Sequence, residues 1–255
     1  MADLFSVEGK TALVTGGSRG IGRMIAGGYL GAGAKVYISS RKRDELERAA
    51  SELCALGECI ALPADLSHEA ECHRIAEEIQ SRERCLNILV NNAGAAWGAP
   101  LEEHNEATFE RVLALNVKAV FHMTKFLLPS LRAGARSDDP ARVINIGSID
   151  GLRVPEMETY SYSASKAALH QLTRHLAKRL APEITVNAIA PGPFESKMMA
   201  STLEAFGDEI AASAPMKRIG RPADMAGAAI YLASRAASYV TGAVLPVDGG
   251  IATLA

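Results

Sequence analysis

The chain has 255 residues, of which 48% are hydrophobic and 22% are charged, so it is long enough to bury a sizeable core. A formal net charge of -2 gives no long-range attraction to nucleic acid, and we predict no nucleic-acid partner. The sequence has no apolar run of about eighteen residues and no basic or apolar N-terminal stretch, so we expect no membrane span, no secretory signal and a cytoplasmic location.

The cysteine and histidine residues do not have the spacing of a metal site. No pair of the four cysteines forms a C-x-x-C motif, and we expect reduced structural thiols. His68 and His73 are five residues apart, which does not place them on one helix face. We therefore predict no catalytic metal.

A glycine-rich stretch follows the first apolar run. Residues 10–14 are apolar enough for a strand, and apolar residues recur at helical spacing after Gly22, so the order is strand, loop and helix. Glycines let a backbone approach a pyrophosphate, and a helix N-terminus presents free N–H groups to it. We predict a dinucleotide site here, although a merely flexible connection is the alternative. The predicted contacts are Gly16, Ser18, Arg19, Gly20, Ile21 and Gly22.

The second predicted strand, residues 34–39, ends at Ser40 and Arg41. A site for NAD usually has a carboxylate at this point, which accepts hydrogen bonds from the ribose 2′-hydroxyl. Here Ser40 is followed by a cation, and the guanidinium groups of Arg41 and Arg19 would match the oxygens of a 2′-phosphate. We therefore predict NADP(H) as the cofactor; the alternative is that both arginines are only solvated.

Polar residues follow the third and fourth predicted strands, residues 59–62 and 86–90. Asp65, next to Leu66, has two interpretations: it accepts from the adenine amino group, or it begins a turn before a helix that Ser67 caps. After the fourth strand, two amides and two small residues are expected to tie neighbouring strands together and to bring the backbone to a cofactor ribose. These residues are Asn91, Asn92, Ala93 and Gly94.

Residues 105–133 keep a helical rhythm of apolar residues and predict one long helix. Asn116 stands among these apolar residues, and a buried amide must be hydrogen-bonded. Its partners could be backbone groups or a water relayed to Lys166.

A serine, a tyrosine and a lysine are predicted to meet beyond the fifth strand, residues 142–146. Ligands of open parallel sheets bind beyond the carboxyl ends of strands, so the hydroxyl of Ser148 is expected to hold a substrate carbonyl oxygen. Tyr162 and Lys166 are four residues apart and share one helix face, whereas Tyr160 lies on another. Because an ammonium favours the phenolate, we expect a lowered tyrosine pKa and a tunable acid and base.

The rest of the chain predicts a helix to about residue 180, a sixth strand at 184–190, a last helix at 222–233 and a final strand at 244–247. Residues 193–216 mix apolar and charged side chains and predict a lid over an apolar substrate, although core packing explains them as well. Seven strands alternating with helices predict a single α/β domain over residues 1–255. Its fold is a doubly wound, Rossmann-type, seven-stranded parallel sheet flanked by helices.

The chain resembles the short-chain dehydrogenase/reductase family over essentially its whole length. The motifs that carry the resemblance, in chain order, are residues 15–22, 91–94, Asn116, Ser148, Tyr162-x-x-x-Lys166 and Asn187-x-Ile189-x-Pro191-Gly192. The resemblance implies a catalytic tetrad of Asn116, Ser148, Tyr162 and Lys166. In that family the tyrosine transfers a proton, the serine orients the reacting oxygen, the lysine also holds the nicotinamide ribose, and the asparagine anchors a relay water.

Two positions depart from the family pattern. Ser196 stands four residues after Gly192, where relatives usually carry a threonine; it is the expected contact to the cofactor carboxamide, together with Pro191. Gly147 replaces a frequent serine beside Ser148. Residues 141–148 and 165–172 are most similar to bacterial 3-oxoacyl reductases, particularly the rhamnolipid-associated type.

The resemblance implies an NADPH-dependent reductase that converts a ketone to a secondary alcohol, with 3-oxoacyl thioesters of acyl carrier protein or CoA as the leading substrate class. It also implies a homotetramer, built through the long helix at 105–133 and the helix of Tyr162. One alternative is a sugar, polyol or steroid dehydrogenase of the same family. Another is an inactive NADP(H)-sensing binding protein.

Overall fold

The computed structural model describes residues 2–196 and 200–254, with side chains over 4–196 and 204–254. Within these residues, seven strands form one sheet in which all neighbouring strands are parallel. Their spatial order is β3-β2-β1-β4-β5-β6-β7. The strands are β1 (Thr11–Thr15), β2 (Lys35–Ser40), β3 (Cys59–Pro63), β4 (Ile88–Asn91), β5 (Ala141–Ile146), β6 (Ile184–Pro191) and β7 (Val244–Val247).

Helices cover both faces of this sheet, which explains why the central strands are buried and almost continuously apolar. One core packs α1, α2 and α8 against one face, and a second core packs α3, α5 and α6 against the other. The helices are α1 (Gly20–Gly31), α2 (Arg43–Leu53), α3 (Glu69–Arg82), α4 (Glu106–Leu113), α5 (Ala119–Gly134), α6 (Tyr160–Leu180), α7 (Ala200–Ser213), α8 (Pro222–Ala233) and α9 (Ile251–Leu254).

The strand order reverses between β1 and β4, so the loops that follow these two strands lie side by side. In open parallel sheets this is the crevice in which ligands bind. The glycine stretch follows β1, and residues 92–94 follow β4. The predicted fold class is confirmed, and the fold brings the predicted cofactor residues to the carboxyl edge of the sheet.

The structure differs from the sequence prediction at several helix ends. The predicted long helix at 105–133 contains a π-helical turn, Ala114–Lys118, between α4 and α5. The helix at 222–233 is not the last one, because α9 follows β7. Ser67 is not the N-cap of α3. The helix begins at Glu69, and its N-cap is His68. Instead, Asp65 Oδ1 accepts from the backbone N–H and the hydroxyl of Ser67, which is the turn interpretation.

Among the described helices, one stretch, Glu106–Gly134, is long and apolar enough to cross a membrane by length and composition alone. Its most apolar window has a mean hydropathy of 1.2. In the fold, Met123, Leu127 and Leu131 of this stretch are buried in the core shared with α3. A core helix of a soluble protein passes the same test, so the result is weak support for a membrane span.

Candidate active site

The glycine loop between β1 and α1 meets the loop after β4 at close range. Gly16 and Gly20 have φ angles of 67° and 52°, in the left-handed region that favours glycine. A Cβ atom on Gly16 would lie 2.7 Å from Asn92 Nδ2, and a Cβ atom on Gly22 would collide with the same amide. Glycine at these positions therefore lets the two loops touch.

Two consecutive amides hold these loops in place. The backbone N–H of Asn92 donates to Thr15 Oγ1 at 2.9 Å, and its Nδ2 donates to the carbonyl oxygens of Thr15 and Gly16 at 2.8 and 3.2 Å. Asn91 is buried, and its Nδ2 donates to Asn145 Oδ1 at 2.9 Å, which links β4 to β5. The Ala93 N–H also donates to Thr15 Oγ1, at 3.0 Å. These amides tie strands together, as the sequence predicted.

The first turn of α1 fits an anionic cofactor. Arg19 occupies the N-cap with extended backbone and offers no side-chain hydrogen bond to the helix. Uncapped N–H groups at a helix N-terminus, beside a glycine loop, suit the oxygens of a pyrophosphate. Ser18 is buried in this loop, and Ile21 is half-buried in the first turn. The predicted residues between Gly16 and Gly22 thus form one cradle.

The end of β2 carries the side chains predicted to bind a 2′-phosphate. Arg41 Nη1 lies 3.8 Å from Asp65 Oδ2, and Arg19 Nη1 lies 3.7 Å from Glu45 Oε2. Both arginine side chains are more than half exposed, so neither is held by burial. Burial alone would raise the pKa of Asp65, but the hydrogen bonds from Ser67 and the charge of Arg41 lower it below its usual value. Arg41 and Asp65 therefore lie close together after β2 and β3, where Ser40 is half-buried and Leu66 is buried in the core.

Asn116 lies in the π-helical turn and is 1% exposed. Its Oδ1 accepts from the Ala95 N–H at 2.8 Å, and its Nδ2 donates to the Ala95 carbonyl and to Ser165 Oγ, both at 2.9 Å. The predicted backbone partner is therefore present, and the relayed water stays a prediction. π-Turns often mark functional sites. A Cβ atom on Gly94 would lie 3.2 Å from Asn116 Oδ1 and 3.9 Å from Lys166 Nζ, so both side chains reach the loop after β4.

Ser148 follows β5 and starts a short 3-10 turn, Ile149–Gly151. Its Oγ accepts a hydrogen bond from the backbone N–H of Asp150 at 3.1 Å. This bond uses an acceptor site of the hydroxyl and leaves its proton available for donation. Ser148 therefore presents a donor at the carboxyl end of the sheet.

Tyr162 and Lys166 face each other on α6. Lys166 Nζ lies 5.4 Å from the centroid of the Tyr162 ring and donates to the Ile146 carbonyl oxygen at 2.7 Å. Lys166 is buried, whereas Tyr162 is partly exposed. Tyr160 points away: it is 41% exposed, and its hydroxyl donates to Glu158 Oε1 at 2.8 Å. The predicted choice between the two tyrosines agrees with this geometry.

The expected lowering of the Tyr162 pKa is wrong for the protein chain alone. Burial raises this pKa to about 12, a hydrogen bond from Ser148 partly opposes the rise, and the charge of Asp150 adds to it. Burial also lowers the pKa of Lys166 to about 8, while Asp150 raises it. The cost of burying charge therefore decides the direction of both shifts.

The opposite wall of the crevice is formed after β6. A Cβ atom on Gly192 would lie 2.7 Å from Asp248 Cβ, which explains the glycine after Pro191. A Cβ atom on Gly20 would lie 3.1 Å from Ser196 Cβ. Ser196 therefore lies against the start of α1, at the predicted cofactor site.

The predicted lid at 193–216 is only partly described. Phe194 is 2% exposed and pairs with Gly220 through an isolated bridge, so it belongs to the core. Phe206 and Met216 are 54% and 62% exposed, and Phe206 interrupts α7 with a φ of −135°. Two residues of the prediction, Met198 and Met199, lie outside the described residues. The lid stays a prediction.

Exposed apolar side chains lie on two segments, of which one precedes α4 and the other leads from Ser148 to α6. The segments at 95–103 and 151–159 run side by side, with the Ala99 N–H donating to the Glu158 carbonyl oxygen at 3.2 Å. Large apolar side chains on these two segments are exposed, including one, Val154, at 90%. Exposed apolar surface often marks a site that binds a ligand or a partner. We call this cluster the entrance rim; it consists of Trp97, Leu101, Leu152, Val154 and Met157.

The metal and thiol predictions concern groups far from this cleft. In the part of the chain that the structure describes, no group of three His, Cys, Asp or Glu side chains could hold a metal ion. All four cysteines are free thiols, and burial raises the pKa of Cys59 and of Cys72 to about 12. Cys59 and Cys72 therefore stay protonated at neutral pH, and the absence of a catalytic metal stays a prediction.

Sequence analysis missed two titratable residues beside the catalytic side chains. His170 is 2% exposed and lies one turn after Lys166 on α6; burial lowers its pKa to about 4. Asp150 lies two residues after Ser148, is half-buried, and has a pKa raised by burial, partly opposed by Arg153 and Lys166. The four-residue spacing from Lys166 to His170 was a usable signal. For Asp150, the only signal was an acid directly beyond a strand end.

Comparisons with known proteins agree with this geometry. The family model described as Enoyl-(Acyl carrier protein) reductase matches residues 16–252. The rhamnolipids biosynthesis 3-oxoacyl-[acyl-carrier-protein] reductase of Pseudomonas aeruginosa is 50% identical over 98% of this chain and 99% of its own. Galactitol 2-dehydrogenase (L-tagatose-forming) of Cereibacter sphaeroides is 38% identical over 97% of this chain and 96% of its own.

A solved structure, the Pseudomonas aeruginosa RhlG/NADP active-site complex, superposes with a TM-score of 0.96 at 49% identity. It covers 99% of this chain and 100% of its own. These similarities confirm the predicted oxidoreductase class and the NADP(H) cofactor. The chain belongs to the short-chain dehydrogenase/reductase family.

Proposed function

We propose that the protein uses NADPH to reduce the ketone of a 3-oxoacyl thioester to the 3-hydroxyacyl product. The observation that carries the proposal is the meeting of Ser148, Tyr162 and Lys166 beyond β5, with two hydroxyl groups available to one oxygen. The 50% identical relative, named as a 3-oxoacyl-[acyl-carrier-protein] reductase, supports this substrate class.

Ser148, Tyr162 and Lys166 have different roles in the reduction of the ketone. The hydroxyl of Ser148 donates to this oxygen and polarises the carbonyl group. Tyr162 transfers its phenolic proton to the same oxygen, and its raised pKa keeps that proton in place at neutral pH. Lys166 holds the cofactor ribose and lies against the tyrosine ring. Bound NADPH supplies the hydride to the ketone carbon.

Asn116 is proposed to support this proton transfer from a second position. Its amide fixes the loop at Ala95 and reaches Ser165, whose Oγ donates to the Tyr162 carbonyl oxygen at 2.7 Å. It therefore connects the loop after β4 with the first turn of α6. By analogy with the family, Asn116 also anchors a water that returns the proton through Lys166.

The cofactor residues are proposed to act in five groups. Each group lies at the carboxyl edge of the sheet, around the crevice between β1 and β4. The glycine loop and the first turn of α1 hold the pyrophosphate, and the other groups hold the remaining parts of the cofactor. The groups are Gly16, Ser18, Arg19, Gly20, Ile21 and Gly22 for the pyrophosphate; Ser40 and Arg41 for the 2′-phosphate; Asp65 and Leu66 for adenine; Asn92, Ala93, Gly94, Tyr162 and Lys166 for the riboses; and Pro191, Gly192 and Ser196 for the carboxamide.

The entrance rim supports an acyl substrate. Its five exposed apolar side chains lie on the segments before α4 and before α6, and apolar surface of this kind binds an alkyl chain by excluding water. We propose that residues 193–216 close over the chain from the opposite side, with Phe206 and Met216 supplying further apolar surface.

A substrate panel tests the proposal. We expect NADPH oxidation with a 3-oxoacyl thioester and little with an enoyl thioester, because Ser148 and Tyr162 act on an oxygen at the reacting carbon. A ketosugar and a steroid ketone provide the controls for the other oxidoreductase alternatives. Preference for any of these three compounds would contradict the acyl assignment, and tight NADPH binding without turnover on the whole panel would favour the sensor alternative.

Replacing Arg41 by alanine tests the 2′-phosphate site. Because a charge-assisted hydrogen bond contributes about 1.5–3 kcal/mol, we expect the Kd for NADPH to rise about tenfold or more. The Kd for NADH should change little, since NADH has a 2′-hydroxyl instead. Arg43→Ala is a matched control, because Arg43 is equally exposed and pairs with Glu47 on α2 at 3.3 Å. Equal losses for both cofactors in Arg41→Ala would remove the phosphate role.

Three further proposals concern the acyl carrier, the oligomeric state and the cellular location. We propose that acyl carrier protein or CoA presents the substrate, that four copies assemble, and that the protein works in the cytoplasm. Exposed Phe109 and Phe121 on the long helix support a subunit interface there, and the free cysteines fit a reducing compartment. Light scattering checks the assembly; a monomer at assay concentration would contradict the tetramer.

A further inference from the structure

Asp150 is fixed beside the catalytic side chains by the packing of its two neighbours. Ile149 is 6% exposed, in a small cluster with Ala214 and Ile251. On the other side, a Cβ atom on Gly151 would lie 2.7 Å from the carbonyl carbon of Lys166, so the 3-10 turn is pressed directly against α6. These contacts fix the backbone of the turn on both sides of Asp150.

The Asp150 carboxylate has no partner of its own among the described residues. Its backbone N–H donates to Ser148 Oγ, but its carboxylate oxygens accept no hydrogen bond there and are affected by Arg153 and Lys166 only through their charges. The side chain is nevertheless half-buried. A half-buried charge without a hydrogen bond is little screened by solvent, so it acts on the titratable groups around it.

The charged groups that face Asp150 come from α6 and from its own loop. Tyr162 and Lys166 on α6 both interact electrostatically with the carboxylate, and Arg153 does so from the loop. His170 lies behind Gly151, but its pKa of about 4 keeps it neutral above that pH. Asp150 therefore acts mainly on the two side chains that hold protons in the site.

We propose that Asp150 is a positioning residue, whose negative charge keeps the protons on Tyr162 and Lys166 and extends ketone reduction to higher pH. The inference rests on the proposed function, because reduction consumes the proton that Tyr162 carries. A nearby negative charge disfavours the phenolate and favours the ammonium. Both effects have the same direction, so the result does not depend on which of the two groups limits the rate.

The Asp150→Asn variant tests this inference through the alkaline limb of the pH profile for kcat/KM. We expect this limb to move to lower pH by about half a unit or more, since a charge at this range shifts a pKa by that order. Activity near neutral pH should remain, because the backbone bond to Ser148 is unchanged. Glu156→Gln is the matched control: it removes an exposed carboxylate from the same loop and should leave the limb in place.

Thermal stability separates this role from a structural one. The pKa of Asp150 is raised in the folded state, so its ionisation costs stability: stability is greatest below the unfolded pKa and falls as the pH rises through the folded pKa. The asparagine variant avoids this loss and should melt at the same or a higher temperature at neutral pH. A lower melting temperature with an unmoved limb would overturn the proposal.

The closing measurement also distinguishes this inference from the proposed function. The limb is measured with whichever ketone of the panel the wild-type protein reduces, so failure of the acyl assignment leaves the test intact. If Asp150→Asn raises KM for hydroxylated ketones without moving the limb, the carboxylate binds substrate hydroxyls, and the proposal is wrong. A limb that moves to lower pH in Asp150→Asn and not in Glu156→Gln supports it.

Discussion

The Tyr162→Phe variant is expected to lose ketone reduction by at least about a hundredfold, because it lacks the proton that general acid catalysis must deliver. The ring remains, so its packing and the contact with Lys166 are kept, and the affinity for NADPH should be nearly unchanged. The loss should therefore fall on kcat and leave the Kd for NADPH in place. Stopped-flow reduction and a cofactor titration measure the two quantities separately.

Tyr160→Phe is the control for this experiment. It removes a tyrosine hydroxyl from the same helix, two residues away, but this hydroxyl donates to Glu158 at the surface. We expect activity within about twofold of wild type, since loss of a surface hydrogen bond costs little. Residual activity above about one per cent in Tyr162→Phe would count against the assignment of Tyr162 as the proton donor.

The sequence was sufficient to predict the sheet and the meeting of the catalytic groups because both follow from local periodicity. Strands such as β1 are short, mainly apolar runs, and the carboxyl ends of parallel strands must share one edge of the sheet. The spacing of Tyr162 and Lys166 fixes their shared face without any tertiary information. Ser148 joins them because it ends β5.

The pKa values could not be predicted in the same way. The spacing suggested that Lys166 lowers the pKa of Tyr162, but the direction depends on how much protein covers both groups. In the fold, Lys166 turns to the Ile146 carbonyl oxygen, and burial acts on each charge separately. The two side chains are shielded from solvent by other elements of the fold, such as the 3-10 turn that carries Asp150. The π-helical turn at Asn116 could not be predicted either, because it adds only one residue to the helical repeat of apolar residues.

The fold also explains why this chain has glycine at position 147, where relatives often carry a serine. A Cβ atom at this position would collide with the imidazole of His170, whose Cδ2 lies 2.8 Å away, and would approach the Ile189 carbonyl oxygen at 3.2 Å. The imidazole thus occupies the space that a side chain at 147 needs. Gly147 and His170 form a pair, in which the histidine is tolerated because the strand end has no side chain.

Gly147→Ser is therefore expected to destabilise the protein by about 2 kcal/mol or more, because overpacking of a close-packed site costs this much. Activity should fall as well, since the next residue is Ser148. Urea unfolding measures the loss as a lower midpoint at unchanged slope. Gly227→Ser in α8 is the control, because a Cβ atom there meets nothing within 4 Å.

The His170→Ala change supplies the second side of a double-mutant cycle. Alone, it leaves a cavity behind Ser148 and should cost about 2 kcal/mol or more. In the Gly147→Ser background it also removes the clash, so the double variant should be more stable than the sum of the two losses by about 1 kcal/mol or more. If the double variant is more active than Gly147→Ser alone, the clash between the new side chain and the imidazole displaces Ser148 in the single variant. Strictly additive losses would mean that the serine escapes the histidine by a backbone shift, and the pairing of Gly147 with His170 would then have no energetic basis.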